Sequence, residues 1–172
     1  DKNKTIRLKI YKATKTGDNN WSNIEELPFN SKEFSVAHPA LSVDEKRLYF
    51  ASDRPGTFGM SDIWFVDINE DGTYGEPVNL GPNINTEARE GFPFVSERNN
   101  LYFSSDGHSG LGGLDIMVTE LKEDGKGGKA SNLGEPANSK KDDFGFVIRE
   151  DLRIGYLSSN RDGDQGRISD DI

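Results

Sequence analysis

The chain contains no cysteine, so disulfides, thiol nucleophiles and cysteine-ligated zinc are excluded outright. That absence fits a periplasmic protein as well as a cytosolic one. Histidine is nearly as scarce: His38 and His108 are the only two, and neither has a second histidine nearby in sequence to make a zinc pair. No apolar run approaches the roughly 18 residues that a membrane-spanning helix needs. Basic residues are outnumbered, 21 Lys and Arg against 30 Asp and Glu, for a net charge of -9. That balance argues against nucleic acid, whose phosphates demand a basic face, and against a basic patch docking on an anionic membrane. No window carries apolar residues at i, i+3, i+4 and i+7 over two turns, so no helix is expected. Asp1 does not begin a signal peptide, and the chain is expected to be a mature product or a fragment.

What is present is clustered and periodic. Hydrophobic residues make up 33% and aromatics 10%, with 19 Gly and 7 Pro. Aromatic clusters of this kind separate a folded, turn-rich chain from a disordered one. YFASD at 49–53 recurs as YFSSD at 102–106, 53 residues on, and as YLSSN at 156–160. Asp62-Ile63-Trp64 recurs as Asp115-Ile116-Met117, and Asp171-Ile172 closes the series. Asn79-Leu80-Gly81 recurs as Asn132-Leu133-Gly134, and Trp21 and Tyr74 stand one period apart. These anchors agree on one period and give repeat units of about 10–62, 63–115 and 116–171.

Each unit reads as four short strands. In the middle unit, 91–96 is short and apolar, and 100–105 is rich in strand-forming residues. Residues 115–121 alternate apolar and polar, and a weaker stretch follows around 129–133. Turn clusters separate them. Four-stranded repeats of this length are the signature of β-propeller blades. The expected fold is therefore all-β: three consecutive four-stranded blades of a larger propeller, with Phe50, Trp64, Phe94 and Phe103 packed between blades. Three units fall short of the four or so that a closed ring needs.

The strings YFASDRPGTFGMSDIW (49–64) and YFSSDGHSGLGGLDIM (102–117) resemble the TolB-type, WD-like propeller repeat. With Pro77-Val78-Asn79-Leu80-Gly81 and Ile84-Asn85-Thr86, they resemble most the version in OmpA-family envelope proteins of Bacteroidetes, and 142–172 looks like a last blade. The resemblance covers residue 8 onward. Asn160 departs from it by replacing Asp, as does the divergent 24–28. It implies a six-bladed propeller in the periplasm, on the outer-membrane side, acting as an assembly module linked to type IX secretion or gliding. It implies envelope proteins as partners, and contact with peptidoglycan only through a further domain that this chain does not contain.

The residues themselves offer little chemistry. Asp53 and Asp106 could form a ring of carboxylates around a pore, but their repetition favours a structural role, accepting backbone N–H groups of the Gly-rich turn that follows. Asp62, Asp115 and Asp171 are expected to fix the loop before the next strand. Arg54 and Arg161 are expected in ion pairs between blades, with Gly107 showing the role to be dispensable in the middle copy. Loop 107–113 lacks the strand–loop–helix context of a phosphate cradle, and its glycines are expected to supply positive φ. The acidic stretches at 142–143, 162–164 and 170–171 do not match a calcium loop. Ser104-Ser105 and Ser158-Ser159 sit in no nucleophile elbow, and nothing selects a glycosidase carboxylate pair. No catalytic, metal or cofactor residue is therefore assigned. The leading expectation is a non-enzymatic interaction scaffold. The alternative is a ligand-binding or carbohydrate-active propeller whose pore mouth carries the repeat-breaking residues His38, Arg89 and His108. A third possibility is a purely stabilising segment.

Overall fold

The computed structural model describes residues 6–162. Asp171 and the acidic residues from 163 onward lie outside them. The described chain is all-β, without a helix, and every sheet is antiparallel. A first hairpin pairs β1 (Tyr11–Lys15) with β2 (Trp21–Glu26). Two four-stranded sheets follow. The first holds β3 (Val36–Leu41), β4 (Arg47–Ser52), β5 (Asp62–Asp67) and β6 (Val78–Asn79) in that order. The second holds β7 (Glu90–Val95), β8 (Asn100–Ser105), β9 (Asp115–Glu120) and β10 (Ser131–Asn132), again in chain order. A last hairpin pairs β11 (Asp143–Arg149) with β12 (Ile154–Ser159). Two of the four sheets have four strands and two have two, where sequence spacing suggested three full sets. The short outer strands β6 and β10 match the weak signal that the sequence gives there.

The cause of this arrangement is legible in β4. Its pattern Leu48-Tyr49-Phe50-Ala51 has no polar face, because both faces are covered. Tyr49 and Ala51 point with Ile63 and Phe65 into a cluster completed by Leu101, Phe103, Met117 and Leu121 of the second sheet. Leu48, Phe50, Trp64 and Val66 point the other way, onto Ile10, Leu27 and Phe29. The second sheet repeats the device, sending Tyr102 and Ile116 onto Phe146, with Phe94 beside them. Three apolar layers thus separate four successive sheets, and the four aromatics expected between units do pack there.

The first strand of each larger sheet carries a β-bulge. His38-Pro39 opposes one residue of β4, and Phe92-Pro93 opposes one residue of β8. Proline is tolerated here because a bulge asks for no ladder donor. β11 repeats the irregularity at Gly145. His38, Phe92 and Gly145 all adopt positive φ, at 54°, 52° and 64°.

The two end hairpins lack a cover on their outer sides. Tyr156 stands where Tyr49 and Tyr102 stand in the earlier units, yet it is 68% exposed while they are 1% and 7% exposed. One residue type at one repeat position should therefore have two energetic values. Tyr49→Ala should cost about 3–5 kcal/mol, the range for emptying a buried aromatic site, and Tyr156→Ala within about 0.5 kcal/mol of nothing. Urea denaturation midpoints of the two variants check this, and equal losses would contradict the layered arrangement.

Candidate functional site

The polar residues that recur with the repeat converge on the junctions between sheets. Asn85 accepts the Ile63 N–H at Oδ1 (2.8 Å) and donates from Nδ2 to the Ile63 carbonyl (3.0 Å). Asn138 clasps Ile116 in the same way, at 2.8 and 2.9 Å. Asn30 does so for Ile10, at 3.0 and 2.7 Å. An amide suits this task because it offers one acceptor and one donor side by side. The Asn85 and Asn138 clasps tie the segment leading into one sheet to the third strand of the sheet before it, and the Asn30 clasp ties the segment before β3 to the residue that precedes β1. The sequence shows Asn85 inside Ile84-Asn85-Thr86, but not that its partner lies 22 residues earlier.

Buried carboxylates lock the start of the next sheet. Glu90, fully buried, accepts Thr86 N–H and Oγ1–H and the Ser105 hydroxyl, at 2.6–2.9 Å. Asp143, also fully buried, accepts Ser139 N–H and Oγ–H and pairs with the Arg161 guanidinium. In the first unit this position is Val36.

Several sequence-based roles change. Asp53 and Asp106 do not bond the turns that follow them. They accept the N–H of Ser35 and Arg89, just before the neighbouring strand, and pair with Arg7 and Arg89. Asn160 serves Asp142 N–H alike (2.7 Å). The turn N–H groups go instead to the preceding serines: Arg54 to Ser52, Gly107 and His108 to Ser105, Arg161 to Ser159. Asp62 and Asp115 do hold the loop before their strands, accepting Phe58 N–H and Leu111 N–H at 2.9 Å. The glycines of 107–113 have no positive φ. Gly59 and its repeat counterpart Gly112 are needed for close approach, since a Cβ there would overlap the backbone of Glu87–Ala88 and of Lys141.

Arg54 and Arg161 differ from each other. Arg161 donates to the Pro136 and Ala137 carbonyls (3.0 and 2.6 Å) and pairs with Asp143. Arg54 makes no ion pair among the described residues. Its Nη2 donates to the Phe29 carbonyl (2.6 Å), and its guanidinium lies 4.9–5.5 Å from the ring centres of Phe34, Phe50 and Trp64. In the middle unit His108 takes over, its Nε2 2.8 Å from the Ile84 carbonyl. The carbonyl preceding each clasp asparagine thus receives a nitrogen from the next sheet in all three units. The middle copy has replaced the arginine rather than dispensed with its contact.

The three residues expected at a pore mouth have separate partners. His38 stacks on Phe92 at 3.9 Å, and burial lowers its basicity. Arg89 pairs with Asp106, and His108 serves its junction. Among the described residues no cluster of His, Asp and Glu could hold a metal ion. Several cavities of comparable size border the sheets, and the one at the first junction combines a buried arginine with aromatic walls. It measures about 480 Å³ and is bounded by Phe29, Phe34, Arg54, Trp64, Tyr74 and Glu76. No family model matches the chain, and no curated protein matches it.

These junctions generate three expectations. Asn85→Ala leaves the buried Ile63 N–H without a partner, while the Ile63 carbonyl keeps the Leu80 N–H, and should cost about 1–3 kcal/mol, read by calorimetry. Gly112→Ala should cost about 1–3 kcal/mol through overlap, whereas Gly128→Ala, whose Cβ would meet only Thr119 Oγ1 at an ordinary 3.7 Å, should be nearly silent. The third concerns pH. Burial alone would raise the Asp143 carboxyl, but hydrogen bonds from Ser159, Arg161 and Ser139 outweigh it and lower its pKa. Glu150 is lowered against burial by Asn100, Ser96, Tyr102 and Arg98. Depressed carboxylates stabilise the fold above their unfolded pKa, and that contribution disappears as pH falls through the folded one. Stability should hold from neutrality to about pH 5 and decline below about pH 4. Arg161→Gln should make that decline shallower.

Proposed function

We propose that the chain forms consecutive blades of a β-propeller of the TolB-like, WD40-like type and serves as a non-enzymatic protein-interaction scaffold. The ring reading is supported by three features. Each larger sheet runs in chain order, and consecutive sheets face each other. The first strands meet, β3 with β7 and β7 with β11. The end hairpins are complementary: β11–β12 repeat the first two strands of a sheet and β1–β2 the last two. Both hairpins therefore continue the strand order of the full sheets.

The observation that carries the scaffold reading is where the polar residues are used. Glu90, Asp143, Asn85 and Asn138 are buried and bonded across junctions, which leaves them no reactive atom to offer a substrate. The large apolar side chains exposed on the end hairpins, Tyr11, Trp21 and Ile24 on one and Ile154 and Tyr156 on the other, stand where further blades of the ring would pack. The resemblance of the repeat strings to OmpA-family repeats supports a periplasmic scaffold at the outer membrane with type IX secretion or gliding components as partners. No helix of the described residues is long and apolar enough to cross a membrane.

Cross-linking the tagged native protein in cells, followed by envelope fractionation and mass spectrometry, tests this reading. Outer-membrane or secretion proteins should be among the linked partners. Recovery in the cytosol, or cross-links to no envelope protein, would overturn it.

A further inference from the structure

The first junction departs from the repeat in a coordinated way. Phe34, Trp64 and Tyr74 stand where the second unit has Ala88, Met117 and Gly127. The carboxylate position held by Glu90 and Asp143 is Val36. Arg161 shows what an arginine needs at this point of the fold, since its charge is met by Asp143. His108 shows that the junction carbonyl is satisfied without a permanent charge. Arg54 therefore keeps a charge that the linking task does not require and has lost the partner that its repeat counterpart retains.

That charge is 8% exposed. A guanidinium carries five N–H donors, of which one is used among the described residues, by the Phe29 carbonyl. Aromatic faces offset part of the cost of burying it, but a buried charge is stabilised far better by a hydrogen-bonded counter-ion. The side chain borders the cavity of about 480 Å³, whose walls are Trp64, Tyr74, Phe34 and Phe29. That size suits a small ligand or one or two residues of a peptide. Glu76 stands at the exposed edge of the same cavity, where its charge disfavours a second negative charge.

We propose that this cavity binds a monocarboxylate borne on an apolar, ring-sized group, with Arg54 as the anion-binding residue and Trp64, Tyr74 and Phe34 as the walls. The missing repeat carboxylate is supplied by the ligand. The assignment stands on the junction geometry and is independent of the scaffold reading, so failure of either leaves the other intact.

The test follows the Trp64 indole N–H resonance in the isotope-labelled protein, assigned by its persistence in Trp21→Phe. The probes are benzoate, its neutral isostere benzamide, and sulfate as a dianion without an apolar body. Benzoate should shift the resonance saturably, with a Kd of about 1 mM for a ligand of that size. Benzamide and sulfate should bind at least about tenfold more weakly, a factor of ten being the least that a lost ionic partner produces. Arg54→Gln should lose benzoate binding. Glu76→Gln, at an exposed residue, should tighten it several-fold. Acetyl-Pro-Phe with a free carboxyl terminus and acetyl-Pro-Glu-amide separate a chain terminus from an acidic side chain as the natural source. A response to benzoate alone assigns the site to free small acids. No saturation by about 20 mM benzoate, an equal response to benzamide, or weaker binding in Glu76→Gln would each overturn the proposal.

Discussion

Every four-stranded sheet in this protein is apolar on both faces, and the rest of the structure answers to that constraint. In β4, Tyr49 and Ala51 face one neighbour while Leu48 and Phe50 face the other, so neither four-stranded sheet has a side that water can wet. A sheet of this kind cannot stand alone. It persists only between two others, which is why a short repeat pays off when it is stacked. The hydrophobic layers supply the drive but no orientation, because burial is non-directional. Orientation comes from the asparagine clasps and buried carboxylates, which fix how the segment leaving one sheet enters the next.

This division of labour shapes what is left for function. Residues present in every unit are consumed by the unit, so a functional residue has to be sought where the repeat is broken. The breaks are few and local. His108 replaces an arginine while keeping its contact with the junction carbonyl, a substitution absorbed by structure. At the first junction Phe34, Val36, Trp64 and Tyr74 change together around the repeat residue Arg54, beside a cavity, and the change leaves that arginine without the carboxylate its counterpart Arg161 has.

Much of the fold was legible in the sequence. The strand read at 100–105 matches β8, and the shared period of YFASD and YFSSD anticipated two sheets of the same design. The roles of individual polar residues were not legible. Asp53 and Asp106 sit beside glycine-rich turns, so a local bond looked natural, yet their partners Ser35 and Arg89 lie 17 or 18 residues earlier in the chain. Gly59 and Gly112 read as turn glycines, although the need for them arises from the backbone of another unit. Period reveals that a residue matters to the repeat, but only the packing of successive sheets reveals what it touches. The cavity at the first junction was out of reach for the same reason: Arg54 showed as a repeat residue, and its missing partner shows only when Val36 is seen to occupy the position of Glu90 and Asp143.

The most direct measurement is native-state hydrogen exchange at the Ile63 and Ile116 amides, which the Asn85 and Asn138 side chains hold. If the junctions couple the sheets, both amides exchange only through opening of the whole stack, with equal free energies close to the global stability. Exchange as fast as that of the hairpin turns, or free energies differing by more than about 2 kcal/mol, would show that the sheets open independently and would contradict the account.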